Sequence, residues 1–89
     1  MSLSTKAVAI TAALIWGGAI FLVGLGNMIL PGYGQAFLEI PASVYPGYSV
    51  DGDIGSVIVG TLYGLLDGLI GGWIAAWLYN YFAKSRGAA

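Results

Sequence analysis

Two long apolar runs constrain this chain more than any other feature. Ala7 to Leu30 is 24 residues without a charge, and Ile54 to Phe82 carries a single one, Asp67. A helix rises ~1.5 Å per residue and the hydrocarbon core of a bilayer is ~30 Å thick, so each run is long enough to span. A chain of 89 residues, 58% hydrophobic and 8% charged, has too little polar surface to enclose both runs in water; soluble domains carry roughly 25% charged residues. The expected fold is an all-α membrane protein with one domain over residues 1–89: a two-transmembrane-helix hairpin with a membrane-surface loop. The spans cover about 7–30 and 54–82, and the loop covers 31–53. A cleavable signal peptide is the weaker reading of the first run, because such apolar regions are only ~7–15 residues long.

The loop holds all three prolines and three of the four acids. Pro31-Gly32 ends the first helix, since proline has no N–H for the ladder and glycine releases the chain. Pro46-Gly47 marks a second turn, and Asp51-Gly52-Asp53 offers an N-cap for the second span. Tyr33, Phe37, Ile40, Val44, Tyr45 and Tyr48 make the loop too apolar to float free, so it is read as lying on the membrane surface with a short helix around Gln35 to Ile40.

Lys6 precedes the first span, and Lys84 and Arg86 follow the second, while the loop has no basic residue. Positive charges stay in the cytoplasm, so both termini are expected inside and the loop outside. Trp73, Trp77 and Tyr79 are expected as anchors at one interface, with Tyr45 and Tyr48 at the other.

In the second span Ser56, Gly60, Gly64, Gly68, Gly72 and Ala76 recur at intervals of four. Such residues form one slowly drifting stripe, a glycine-zipper pattern that lets another backbone approach closely. Each glycine costs roughly 1 kcal/mol of helix propensity relative to alanine, so the stripe needs a packing reason. Ala13, Gly17 and Gly24, with Ala9 and Asn27, form a weaker counterpart on the first span, which is therefore the simplest partner. Gly71 and Gly18 lie off this face and leave room for a second contact. Leu65 is read as facing lipid.

Asp67 is the residue most able to carry chemistry. An aspartate near the bilayer midplane costs ~2.5–3.5 kcal/mol, so it must face protein or water. Tyr63, one turn away, is the nearest candidate partner; Asn27 and Thr11 on the first helix lie nearer the span ends. No Lys or Arg lies inside either run. Three roles compete for Asp67: a hydrogen-bonded packing residue, a contact with a separate membrane subunit, and a proton-transfer site.

With no His and no Cys, zinc sites, disulfides and imidazole-ligated cofactors are excluded. Three basic residues against four acidic ones build no nucleic-acid surface. No catalytic constellation or phosphate-binding glycine spacing is present, so no enzyme, metal or cofactor is expected.

The stretch from Ala36 to Asn80 resembles a group of short bacterial two-span proteins labelled holin-like or uncharacterised. Its most specific pieces are Tyr45-Pro46-Gly47-Tyr48 and Ala76-Trp77-Leu78-Tyr79-Asn80. The resemblance implies residence in the bacterial cytoplasmic (inner) membrane. A likeness to the proteolipid subunit of rotary ATP synthases stops at architecture, since the loop has no arginine. The favoured expectation is a non-enzymatic accessory or structural subunit, packed against other transmembrane helices of a larger complex or copies of itself. A holin-like self-associating pore is the alternative, and ion or proton transfer through Asp67 the third.

Overall fold

A computed structural model describes residues 3–85, so Arg86, used above for orientation, lies outside the described residues. Three helices follow one another: α1 (Thr5–Ile29), α2 (Gln35–Ala42) and α3 (Ile54–Ser85). Among the described residues there is no strand. α1 and α3 are each long and apolar enough to cross a membrane, and they pack antiparallel along most of α1. At ~1.5 Å per residue the 32 residues of α3 reach about 48 Å, so this helix sets the 51 Å long axis.

Local chemistry explains the ends. Ser4 caps α1, its Oγ accepting from the Ala7 N–H at 3.2 Å. The helix therefore starts two residues before the apolar run. At the other end Leu30-Pro31-Gly32 breaks the ladder, with Gly32 at φ +91°. Asp53 precedes α3, and its carbonyl accepts from the Val57 N–H at 3.1 Å. α3 continues past Phe82 to Ser85, where Lys84 in the last turn complements the helix dipole.

The contact face of α1 is Ala9, Ala13, Gly17, Ile20, Gly24 and Asn27, all buried. Facing them, a side chain placed on Gly64 would come within 3.1 Å of the Gly17 Cα. One on Gly68 would meet the Ala12 carbonyl oxygen at 2.6 Å, and one on Gly72 the Ala9 Cα at 2.9 Å. The two backbones thus run in close contact over these three turns, with the register fixed by Gly17 against Gly64, Ala13 against Gly68 and Ala9 against Gly72. Leu65 is not on the lipid face: it packs on Gly17, because the stripe drifts and carries its neighbour into the seam. A reciprocal pair closes the open end, where Leu3 N–H donates to Asn80 Oδ1 at 2.7 Å and Asn80 Nδ2 donates to the Leu3 carbonyl at 2.9 Å.

Candidate functional site

The connecting segment does more than cap the hairpin. It folds back along the flank of α1 and α3, so that its tyrosines reach residues near the middle of both helices. α2 starts the descent, with Leu38 and Pro41 buried and Phe37 edge-on to Trp16 at 5.8 Å. Tyr45-Pro46-Gly47-Tyr48 then reverses the chain: Tyr48 N–H donates to the Tyr45 carbonyl at 3.1 Å, and Gly47 stands at φ +83°. Proline at the second position and a left-handed glycine at the third are what a type II turn requires. The turn presents both tyrosines to the hairpin, each only 7% exposed.

At the bottom of this descent lies a three-residue relay. Trp16 Nε1–H donates to Tyr45 Oη at 2.8 Å, and Tyr45 O–H donates to Asp67 Oδ2 at 2.6 Å. The indole N–H, the phenol and one oxygen of the carboxyl each have a partner in it, which satisfies the indole and phenol that burial takes from water. Tyr45 stacks on Tyr63 with ring centroids 5.0 Å apart, and Tyr63 O–H donates to the Pro46 carbonyl at 2.7 Å. Tyr63 is therefore not the partner of Asp67 but the clamp on the turn that delivers that partner. Asp67 itself is exposed on its other side, and Oδ1 has no donor among the described residues. Gly71, one turn further along α3, is also exposed, with nothing within 4 Å of where a side chain would begin.

The other sequence-derived candidates divide between helix packing and the loop. Gly64, Gly68, Gly72 and Ala76 lie along the seam, and Ala76 is buried. Gly24 faces Val57. Gly60 belongs to the loop contact: a side chain there would overlap the Tyr48 ring at 2.5 Å, so this glycine is the floor under Tyr48. Ser56 bonds Asp51, which it holds below its ordinary carboxylate range, helped by the Asp53 N–H. Asn27 does not approach Asp67; it is buried and donates to the Tyr33 carbonyl at 3.0 Å and Gln35 Oε1 at 3.2 Å, fastening the start of the segment. Trp73, Trp77 and Tyr79 are exposed. Tyr45 and Tyr48, by contrast, face the protein rather than serving as outward anchors, because α1 and α3 offer them polar and flat apolar contacts.

Burial pushes the Tyr45 phenol above its ordinary value, and its bond to Asp67 acts in the same direction. Burial also raises Tyr48, with the nearby Asp51 charge adding to it. Among the described residues no three His, Cys, Asp or Glu side chains converge as a metal site would need. What the cluster does chemically is hold the loop to the middle of α3 through directed bonds, while leaving half of one carboxyl open to the outside. No sequence reasoning identified Trp16 as part of it; the only available cue was an indole in mid-run, which buries well only with an acceptor for its N–H. No family model matches the chain, and no curated protein or solved structure does either.

Proposed function

We propose that the protein is a non-enzymatic integral membrane subunit whose work is to pack against other transmembrane helices. The observation that carries this reading is Asp67, a half-open carboxyl in the middle of α3 with one internal donor and an open Gly71 beside it. In hydrocarbon an exposed aspartate at this depth costs ~2.5–3.5 kcal/mol. A neighbouring helix that covers it removes that cost. Outward-facing Leu14, Ile15, Leu62, Leu66, Ile70 and Ile74 supply the apolar surface for such a contact or for lipid.

The setting proposed is the bacterial cytoplasmic membrane with both termini inside. Lys6 and Lys84 support that orientation, since antiparallel packing brings the start of α1 and the end of α3 to one end of the hairpin. A holin-like pore, suggested by the resemblance of residues 36–80, has less support. Most polar groups a water path would use are occupied: Thr61 Oγ1 bonds the Val57 carbonyl, Tyr63 the Pro46 carbonyl, and Asn27 the loop, which leaves Thr11 and one oxygen of Asp67. For proton transfer through Asp67 the group in contact is the Tyr45 phenol, which burial raises above its ordinary value and so makes a poor proton relay at neutral pH. Purification of the native assembly in mild detergent, with its composition read by mass spectrometry, tests the proposal. A fixed assembly that leaves vesicles ion-tight is expected; a conducting homo-oligomer contradicts it.

A further inference from the structure

We infer that a second copy of this chain is one of the neighbours, seated with its α1 outer face against the Asp67 face of α3. The inference rests on the packing role proposed above and adds its partner. Asp67 Oδ1 needs a donor at its own depth, and the chain's inventory leaves few. Trp16 Nε1–H, Tyr63 O–H, Thr61 O–H and both hydrogens of the Asn27 amide are engaged within the hairpin. Among donors within about one helical turn of Asp67's level, Thr11 is the exception: it is exposed, and its hydroxyl has no partner among the described residues.

Depth and shape agree with this pairing. The register of Ala13 against Gly68 and Gly17 against Gly64 sets Asp67 level with about Leu14. Thr11 is then three residues deeper, ~4.5 Å along the axis and within reach of two side chains. Around Thr11 the α1 surface forms a shallow hollow of about 300 Å³ lined by Ala7, Val8, Thr11, Ala12 and Ile15. At the same level on α3 stand the half-exposed Ile70 and Ile74, with the bare Gly71 between them. A copy in the same orientation therefore offers a hollow to a ridge and a hydroxyl to a carboxyl. The contact joins two different faces, so it repeats from copy to copy and grows a ring or a row. Its polar groups are consumed in the contact, which leaves it dry.

The chain has no cysteine, so disulfide trapping in membranes reads this geometry directly. One full-length variant carries Ala7→Cys and a second carries Ile74→Cys, co-expressed and oxidised in reconstituted vesicles. Mixed 7–74 dimers should dominate over 7–7 and 74–74 dimers. Thr11→Val, which changes only the outward face of α1, should lower the mixed yield about threefold to tenfold, the worth of one interhelical hydrogen bond. Gly71→Leu should abolish it while leaving the hairpin intact, because that position is open in the single chain. Dominant 74–74 dimers, no intermolecular product, or a yield unmoved by Thr11→Val would each overturn the inference, while the packing role with other proteins would stand. Mixed dimers in vesicles that leak ions would support the contact and overturn the packing role.

Discussion

Tyr45 and Asp67 meet at 2.6 Å, joining the turn of the connecting segment to the middle of α3. The same phenol oxygen accepts from Trp16 at 2.8 Å, so one side chain ties the loop to both long helices. Tyr45→Phe keeps the ring and its stack on Tyr63 but leaves the Trp16 N–H without an acceptor. Loss of a partner from a buried polar group costs ~1–3 kcal/mol. In a Trp73→Phe, Trp77→Phe background, Tyr45→Phe should shift the emission of the remaining indole and speed hydrogen exchange across residues 43–50. Unchanged emission and exchange would argue against the relay.

Asp67→Asn keeps an oxygen that can accept the Tyr45 O–H, whereas Asp67→Leu removes it. The Asn variant should fold and hold its loop like the parent, and the Leu variant should release it. An Asn variant that folds but loses a pH-dependent ion flux shown by the parent would turn the assignment from packing to transport.

The seam and the loop floor should separate cleanly. Gly68→Leu places a branched side chain against the Ala12 carbonyl and the Ala13 Cα, and overpacking of this kind costs ~1–3 kcal/mol. Gly60→Leu displaces the Tyr48 ring instead. Thermal unfolding in detergent should fall for Gly68→Leu, while limited proteolysis of the loop should rise for Gly60→Leu with α1 and α3 still paired. The reverse pattern would mean that the two glycines have been assigned to the wrong partners.

The elevated phenols give a pH dependence. Tyr45 and Tyr48 both stand above the ordinary 10.0, chiefly through burial. A group whose folded value is raised contributes stability that is complete below the unfolded value and is lost as pH rises through the folded one. The docked loop should therefore hold at neutral pH and loosen above about pH 10. Phenolate absorbance near 295 nm should show the Tyr45 transition moving down toward the ordinary range in Asp67→Leu. No movement would separate the phenol from the carboxyl.

How much of this could be read from residues alone follows from the range of each interaction. The spans and α2 rest on local features: apolar runs, Ser4 as a cap, and Pro31-Gly32 as a stop. The Gly64, Gly68 and Gly72 spacing was visible for the same reason, since i, i+4 periodicity is a property of one helix. The site was not visible in this way. Asp67 has Tyr63 one turn away, so local reasoning pairs them. The structure instead pairs Tyr63 with Pro46 and brings Tyr45 in from 22 residues away. That exchange depends on how far the segment descends, which α2 packing and the Tyr45–Tyr48 turn decide together. The Asn80 bond to Leu3 spans 77 residues and is fixed only by the register of the whole hairpin.

Topology is open to labelling. Ser2→Cys and Ser85→Cys should react with an impermeant thiol reagent only from the cytoplasmic side, and Ser49→Cys only from the opposite side. Labelling of Ser49→Cys from the cytoplasm would invert the proposed orientation.

A double-mutant cycle measures whether Asp67 holds the loop through Tyr45. Stability would be measured for the parent, Tyr45→Phe, Asp67→Leu and the double variant in one detergent. Residues in direct hydrogen-bond contact couple by ~0.5–3 kcal/mol. The structure predicts a coupling in that range, with the double variant little worse than either single one. Strictly additive losses would mean that Tyr45 and Asp67 act independently, and would contradict the account.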